Sequence, residues 1–265
     1  MRVYTFNYFK KSVMKKVILI FLWASFCSFS LRAQISESDT TKWQSKTSIS
    51  ANWQTGNVEY WALRAKWEMC YRPTPAWAFK TQNAYLYQEF FKIKADEDLS
   101  TRNFVYWKPD ARVYPFLMFF ASSNYRREIN QRFLAGAGAT YRFFRHGKVA
   151  LSLAYEETIF SQNTYNEPQY NNSFQINTWR ATLWLYAKHA LKGGKIVLHY
   201  EAFAQPSVEQ TNNFRAQAEA GIDFFLSKQL SFITNFIYTY ESIVTERDKT
   251  QDTILTVGFS HHFKK

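Results

Sequence analysis

A serine and two histidines stand together near the end of the chain, where residues 260–262 read SHH. A hydroxyl beside an imidazole is the pairing used in nucleophilic hydrolysis, and it needs a third group to orient the imidazole. Neighbouring histidines are also common metal ligands. In an extended strand, however, Ser260 and His262 share one face while His261 lies on the other, so one ion cannot readily use both histidines. No third orienting group is evident in the sequence, and we predict neither a catalytic nor a metal site.

Two glycines one residue apart suggest a different chemistry, that of a phosphate-binding loop. Gly136 and Gly138 lie in RFLAGAGATYRFF, residues 132–144, with arginines on both sides. A nucleotide loop must open a helix whose N-terminus holds the phosphate. The residues that follow are aromatic, β-branched and alternating, which favours a strand instead. We therefore interpret the glycines as part of a sheet, where they give room to bulky neighbours or let the strand bend, and we predict no cofactor.

The elements that carry these residues repeat with a period of two. Residues 214–224 are typical, because an apolar side chain at every even position alternates with Arg215, Gln217, Glu219, Gly221 and Asp223. Aromatic residues make up 19% of the chain. No apolar run after residue 33 approaches the roughly 18 residues that a spanning helix needs. Alternation of this kind indicates strands with one apolar face.

Twelve segments with this alternation follow one another between residues 43 and 263. Many are long enough to cross a bilayer as tilted strands, which takes roughly 9–11 residues. The connections alternate between short turns such as RHGK and LKGG and longer polar loops such as KADEDLS, SQNTYNEPQYNN and TERDKTQD. The predicted strands cover residues 43–54, 57–71, 77–92, 101–113, 116–126, 130–143, 148–160, 173–189, 195–206, 212–226, 229–243 and 252–263.

Short turns on one side and long loops on the other are typical of outer-membrane barrels. We predict an all-β fold, a transmembrane antiparallel up-and-down β-barrel of about twelve strands with both termini on the periplasmic side. A soluble sandwich that buries the apolar face is the alternative. It is disfavoured because the polar face is rich in Gly, Ala, Ser, Asn and Gln, and because aromatic residues cluster at strand ends as in membrane girdles.

The start of the chain has the pattern of an export signal. Lys15 and Lys16 precede an apolar run over residues 17–31, and Ala33 supplies a small residue before the expected cut. The apolar run is too short for a typical spanning helix. We therefore expect export through a cleaved signal peptide and a location in the outer membrane.

The domain organisation follows from this leader. We predict a signal peptide over residues 1–33, with Met14 as an alternative start, a short lead over residues 34–42 and an outer-membrane barrel over residues 43–263. The leader holds six basic and no acidic residues, so its removal lowers the net charge from +12 to +6. This modest charge does not indicate nucleic-acid binding. Cys70 is then the only cysteine, and no disulfide within the chain is expected.

A barrel of this register would line its interior with charged side chains. Across all strands, we expect twelve basic and seven acidic residues on the inner face, and an excess of Arg and Lys in a pore favours anions. Barrels of eight strands are filled by side chains, whereas those of sixteen or more hold open channels. Twelve strands allow either a small pore or a lumen closed by Arg–carboxylate pairs. The candidate lumen-lining residues are Arg64, Lys66, Arg112, Arg132, Arg142, Arg180, Glu201, Arg215, Glu219 and Asp223.

Two stretches resemble a known family. The first is SISANWQTGNVE, residues 48–59, with a TGN turn after the first strand, and the second is the glycine-spaced segment that holds Gly136, Gly138, Tyr141 and Arg142. Both resemble the salt-induced outer-membrane protein family, a domain of unknown function. The resemblance implies an outer-membrane β-barrel of the Gram-negative envelope without established enzymatic activity, and it supplies no site residues.

The last predicted strand carries a second resemblance, to the C-terminal signal read by the barrel-assembly machinery. That signal combines a polar residue, a glycine two positions later and two ring-bearing or hydrophobic residues spaced by two, here Thr256, Gly258, His261 and Phe263. Two lysines follow, whereas the aromatic residue is usually terminal. We therefore expect outer-membrane lipid and this machinery as partners, and the sequence does not indicate an oligomeric state.

Three functions are compatible with such a barrel. The first is a small passive channel with weak anion preference, and the alternative is a non-conducting envelope-structural or stress-related barrel. A phospholipase-like enzyme is a distant third, because those barrels place serine and histidine on the outer surface, whereas Ser260 and His262 are expected in the lumen. We therefore predict that the protein is not an enzyme.

Overall fold

The computed structural model describes residues 35–144, 146–246 and 248–265. The predicted signal peptide, residues 1–33, lies outside the described residues. Among those described, no helix is long and apolar enough to cross a membrane, and short 3₁₀ helices occur at Pro168–Tyr170 and Lys192–Gly194. The strands are β1 (Trp43–Gln54), β2 (Tyr60–Thr74), β3 (Trp77–Phe90), β4 (Ile93–Trp107), β5 (Val113–Asn124), β6 (Ile129–Phe144), β7 (Gly147–Phe160), β8 (Gln175–Leu191), β9 (Ile196–Pro206), β10 (Phe214–Phe225), β11 (Leu230–Glu241) and β12 (Gln251–Lys264).

The sheet closes on itself because β1 pairs with both β2 and β12. Every neighbouring pair is antiparallel, and strands adjacent in sequence are adjacent in the barrel. The closing seam runs from Gln44 opposite Lys264 to Ser50 opposite Gly258. Closure removes the edges that an open sheet of this size would expose. The predicted twelve-stranded up-and-down barrel is thus confirmed.

The two ends of the barrel differ in their connections. The start of β1, the end of β12 and five tight turns all lie at the same end of the barrel, which we call the terminal end. The opposite end, called the loop end, carries the long connections of residues 161–174, 207–213 and 242–250. Three loop-end connections, residues 55–59, 91–92 and 125–128, are short, so the predicted alternation of short turns and long loops holds only in part.

The prediction of a long loop KADEDLS at residues 94–100 is wrong. These residues lie inside β4, and the turn before it consists of Phe91 and Lys92, with φ of 49° and 61°. The segment is polar, yet it alternates, and Asp96 and Asp98 lie on the inner face opposite residues of β3. Charges occur on both of its faces, so its composition concealed the period of two.

The inner face of the barrel is largely polar and the outer face largely apolar. Ile49, Leu117, Leu151 and Leu255 lie on the outer face and are more than half exposed. Large apolar surfaces of this kind are unfavourable in water. They match the apolar band that a barrel presents to the hydrocarbon of a membrane.

Gly136 and Gly138 lie on the inner face of β6, where β7 and Phe116 approach closely. A side chain at Gly138 would meet the carbonyl oxygen of Leu151 and come within 2.7 Å of the Phe116 ring. At Gly136, a Cβ would lie 2.5 Å from the Cβ of Ala154. The glycine pair therefore makes room for packing inside the barrel, as its interpretation as strand residues predicts.

The apolar core lies inside the terminal end of the barrel. Phe104, Tyr106, Tyr114 and Phe116 from β4 and β5 occupy the lumen there, and several of their ring centroids are 5.7–6.1 Å apart. Ile35, from the chain before β1, joins this cluster. Aromatic packing therefore fills one end of a lumen that is otherwise lined by polar groups.

Candidate functional site: the barrel lumen

The chain before β1 folds back into the terminal end of the lumen. Residues 35–42, the N-terminal segment, bury Ile35 and Glu37, which are 6% and 0% exposed. The Tyr114 hydroxyl donates a hydrogen bond to the Glu37 carboxylate at 2.7 Å, and Lys148 forms an ion pair with the same carboxylate. Because a buried carboxylate needs such partners, these contacts hold the N-terminal segment inside the barrel.

The remainder of the N-terminal segment is tied to the rim of the barrel. The Gln44 side chain bonds the backbone N–H and carbonyl of Ser36, at 3.1 and 2.9 Å. Arg72 donates to the Asp39 carbonyl oxygen at 2.8 Å, and Lys264 pairs with the Asp39 carboxylate at 2.7 Å. Burial would raise the pKa of Asp39, but the hydrogen bond and charge of Lys264 outweigh it and lower the pKa. The segment is therefore fixed by charge pairs as well as by apolar packing.

Beyond the N-terminal segment, ion pairs cross the middle of the lumen. They join strands that are distant in sequence: Lys46 to Asp223 at 3.0 Å, Lys66 to Glu219 at 2.6 Å and Arg102 to Glu201 at 3.2 Å. Members of all three pairs border a central cavity of about 180 Å³. A polar cavity of this size can hold several water molecules. The middle of the lumen is thus a charge-lined chamber.

Nearer the loop end, arginines and carboxylates form a connected network. Two carboxylates each hold two guanidinium groups: Glu156 holds Arg180 at 2.9 Å and Arg215 at 2.5 Å, and Glu241 holds Arg127 at 3.0 Å and Arg132 at 2.7 Å. Both carboxylates are buried. Removing one partner from a buried ion pair leaves an uncompensated charge, so the network fixes this part of the wall.

Two further cavities continue the lumen towards the loop end. One of about 180 Å³ is bordered by Arg132, Arg215 and Glu241. Another of about 360 Å³ is bordered by Tyr60 and Asp252, nearer the loops. Neighbouring cavities share lining residues, so they form a row of chambers from the central cavity to the loop end.

Some charged groups around the central cavity have no direct ion-pair partner among the described residues. Two buried nitrogen atoms of Arg64, Nε and Nη1, have no hydrogen-bond partner among the described residues. Lys80 also borders the cavity, and no described carboxylate lies in direct contact with it. Glu68 and Asp98 border the same cavity and also form no ion pair among the described residues, although Glu68 accepts a hydrogen bond from Gln82 at 3.4 Å. The basic residues that border the cavity outnumber the acidic residues only by five to four, so the local excess of positive charge is small.

Most of the candidate lumen-lining residues lie on the inner face, and Arg112 does not. Arg112 lies exposed in the turn between β4 and β5, where it donates to the Tyr141 hydroxyl at 2.7 Å on the outer face. The prediction for Arg112 is wrong because the turn interrupts the alternation that was extended through it. The register places on the inner face Arg64, Lys66, Arg132, Arg142, Arg180, Glu201, Arg215, Glu219 and Asp223.

Sequence reasoning missed several charged groups of the lumen, including the buried Arg127, which pairs with Glu241 and Asp252. Asp96 and Asp98 were assigned to a loop, Lys148 begins a strand, and Glu37 lies in the lead before the barrel. The alternation around Asp96 and Asp98 was the available signal for two of them. The missed acids Glu37, Asp96, Asp98 and Asp252 outnumber the missed bases Arg126, Arg127 and Lys148 by one, so the excess of positive charge is slightly smaller than twelve to seven. Lys108 also lies in a turn rather than on a strand.

Ser260 and His262 contact each other on the inner face near the terminal end. The Ser260 hydroxyl is 2.8 Å from His262 Nε2, and the Ser231 hydroxyl is 3.1 Å from the same atom. Both residues are buried, and no carboxylate in the described part of the chain bonds His262. Within those residues, no group of three or more His, Cys, Asp or Glu could hold a metal ion. The arrangement therefore gives no support to a hydrolase.

The residues of the predicted assembly signal lie on β12, the strand that closes the barrel. Thr256 and Gly258 lie on the inner face, and His261 and Phe263 on the outer face. An aromatic side chain on the outer face suits a lipid boundary. Recognition by the barrel-assembly machinery stays a prediction.

Comparison with solved structures finds outer-membrane barrels. The NanC porin has a TM-score of 0.51 and 8% identity, over 82% of this chain and 98% of that chain. The translocator domain of autotransporter NalP from Neisseria meningitidis has a TM-score of 0.48 and 12% identity, over 85% and 90%. At such identities the likeness to the NanC porin concerns the fold alone. It agrees with the predicted class, a transmembrane antiparallel β-barrel.

Comparison of sequences identifies the family. No curated protein matches the chain closely enough to count as a relative. The family model described as "Protein of unknown function, DUF481" matches residues 28–263, which is most of the chain. The predicted resemblance to a family of unknown function is therefore confirmed, while the salt-induced description stays a prediction. The chain belongs to DUF481, a family of proteins of unknown function.

Proposed function

We propose that this protein is a narrow channel of the outer membrane whose terminal end is closed by the N-terminal segment. The apolar outer face supports insertion in lipid, and the leader of residues 1–33 supports export through a cleaved signal. Under this proposal the short turns and termini face the periplasm and the long loops face outward. Small hydrophilic solutes and ions would enter from the loop end.

The observation that carries the proposal is the row of charge-lined chambers inside the barrel. Charged groups that are removed from bulk water are costly unless they are paired or hydrated. The cavities of about 180 and 360 Å³ are large enough for water. A barrel that served only as a structural element would be equally stable with a packed apolar interior. A wet, charged interior is what passage of ions requires.

A weak preference for anions follows from the central cavity. Arg64 and Lys80 lack a direct carboxylate partner there, and each therefore presents charge to a solute in the cavity. Rings of Arg and Lys favour anions in pores. Glu68 and Asp98 oppose them, and the five basic residues around the cavity face four acidic ones, so we expect a small selectivity rather than a strict one.

A non-conducting barrel is the second candidate, and a specific observation favours it. The N-terminal segment fills the terminal end, and Glu37 is fully buried between Tyr114 and Lys148. If this segment never leaves the lumen, the protein does not conduct. The loops at the other end would then be the functional surface.

Planar-bilayer recording of two matched double variants separates the candidates. Ile35→Gly with Glu37→Gly removes the buried anchors of the N-terminal segment, whereas Thr40→Gly with Lys42→Gly changes exposed positions of the same segment. A channel requires the first variant to conduct more than the wild type and the second to match the wild type. If all three proteins are folded and none conducts, the channel proposal is rejected in favour of the non-conducting barrel.

The anion preference has its own test in the conducting variant. Arg64→Gln with Lys80→Gln should move the reversal potential towards cations, because the unpaired positive charge is lost. Arg112→Gln is the matched control, since Arg112 lies outside the lumen. An equal reversal potential in both variants would reject this choice of residues.

A further inference from the structure

The outer face of β3 and β4 differs from the rest of the membrane-facing surface. Thr81 and Asn83 of β3 and Thr101 and Asn103 of β4 point outward, since the residues between them, Gln82 and Arg102, bond Glu68 and Glu201 inside the lumen and side chains alternate along a strand. Thr81 lies opposite Asn103, and Asn83 lies opposite Thr101, so the four side chains form one block. On the opposite wall, the corresponding middle of β10 carries Ala216, Ala218 and Ala220. We call the block of four the outer polar patch.

The outer polar patch lies at mid-depth in the membrane-facing band. On the outer face of β3, Trp77 and Phe79 precede the patch towards the terminal end, and Tyr85 and Tyr87 follow it towards the loop end. Aromatic girdles mark the two membrane interfaces of such barrels. The patch lies between these girdles and is therefore too deep to be hydrated by interfacial water or to meet lipid headgroups.

The amides of the outer polar patch are only partly satisfied within the chain. Asn83 Nδ2 donates to Thr81 Oγ1 at 3.1 Å, and Asn103 Nδ2 donates to Thr101 Oγ1 at 3.1 Å. Each amide keeps a second N–H and a carbonyl oxygen without a partner among the described residues. Hydrocarbon cannot supply hydrogen bonds, so such groups are costly when they face lipid. A protein partner would satisfy them.

A tryptophan extends the same surface. Trp67 of β2 lies directly beside Asn83, is 43% exposed, and donates its indole N–H to Ser45 Oγ at 3.2 Å. It lies well away from the strand ends, where girdle aromatics are found. A large ring surrounded by neutral hydrogen-bonding groups is typical of the centre of a protein interface.

We propose that the outer polar patch, with Trp67, is a membrane-embedded interface with a second copy of this chain. The patch carries no charge, so it does not select a partner of opposite charge. A primary amide is both a donor and an acceptor, and it is therefore complementary to itself. A two-fold axis brings the same surface of each subunit together, which lets the free N–H and carbonyl of each Asn pair across the axis. The proposal does not depend on whether the lumen conducts.

Disulfide crosslinking in lipid vesicles tests this interface. In a background without native cysteines (Cys27→Ser, Cys70→Ala), Asn83→Cys places a thiol in the patch and Ala218→Cys places one on the opposite wall. If the interface forms, oxidation should give a disulfide-linked dimer of the Asn83→Cys variant, whereas the Ala218→Cys variant should remain mostly monomeric. Equal crosslinking at both positions, or none at either, would overturn it.

A second measurement distinguishes the interface from a mere folding effect. Asn83→Leu with Asn103→Leu makes the patch apolar like the rest of the outer face, so the barrel should still fold. The wild type should have the mass of a dimer in lipid nanodiscs and the double variant that of a monomer. A wild-type monomer at every lipid ratio overturns the proposal, as does crosslinking in native membranes to a different protein in place of a second copy.

Discussion

At the terminal end of the barrel, aromatic rings and the N-terminal segment fill the lumen, whereas towards the loop end the lumen contains chambers bordered by ion pairs. The filling of the terminal end includes Ile35 and Glu37, which belong to no strand. We call the half of the lumen towards the loop end the loop half. Its charged side chains, such as Glu156 and Arg180, belong to the strands themselves. One half is therefore filled by a segment that is not part of a strand, and the other is lined by groups that the strands themselves carry.

Under the proposed function, this difference would give one barrel a rigid wall and a barrier that can be removed. The paired charges connect strands that are far apart in sequence, and they resist collapse because each buried charge needs its partner. The N-terminal segment depends on a few anchors, mainly Glu37 and Asp39, and has no strand pairing of its own. Movement of that segment would leave the sheet intact.

The largest expected effect comes from breaking the network of the loop half. Glu156→Gln removes the carboxylate that holds both Arg180 and Arg215. We expect about 3–5 kcal/mol of lost stability, because two buried guanidinium groups lose their counter-charge. Urea unfolding from lipid vesicles measures this loss.

The matched control for that variant is an exposed pair. Glu59 is 3.8 Å from Lys92, and both are solvent-accessible, so Glu59→Gln should cost less than about 1 kcal/mol. Similar losses in both variants would show that the loop half is no more tightly linked than the surface.

The next effect compares lipid with lumen at adjacent residues. Ala218 faces outward in the middle of β10, so Ala218→Arg should cost about 2–4 kcal/mol in a bilayer. Gln217 borders two of the chambers, where Glu219 lies close by, and Gln217→Arg should cost clearly less. Refolding yields in vesicles compare the two variants. An equal loss of yield would mean that the lumen beside Gln217 has no room for a larger charged side chain.

A smaller effect is expected from overpacking the terminal end. Gly138→Ala would place a methyl group against the Leu151 carbonyl oxygen and the Phe116 ring. Overpacking of this kind costs about 1–3 kcal/mol. Ala137→Val changes the neighbouring outward position and serves as the control, measured by the same unfolding assay. If Gly138→Ala is as stable as the control, the terminal end is less tightly packed than the glycine contacts indicate.

The strands were predictable because two media impose the alternation: lipid selects the outward residues and the lumen tolerates the inward ones. Residues 214–224 show this in the sequence alone. The pairing of Glu156 with Arg180 and Arg215 was not predictable, because it depends on how the barrel curves. The N-terminal segment was missed for a similar reason, since Glu37 has no periodic neighbours and its partners Tyr114 and Lys148 are distant in sequence.

The smallest expected effect is that of moderate acid on the N-terminal segment. Burial would raise the pKa of Glu37, but the charges of Lys148 and Lys80 and the hydrogen bonds from Lys148 and Tyr114 together outweigh it, so the pKa is lowered. The pKa of Asp39 beside Lys264 is lowered as well. A carboxylate with a lowered pKa stabilises the folded form above its ordinary value, near 4, and loses that contribution only as the pH falls further. We therefore expect single-channel recordings between pH 7 and pH 5 to show no opening of the wild type. Any increase in its conductance should occur only below this range. The Ile35→Gly, Glu37→Gly variant should conduct at both values. Opening of the wild type at pH 5 would mean that groups other than these two carboxylates hold the terminal end closed.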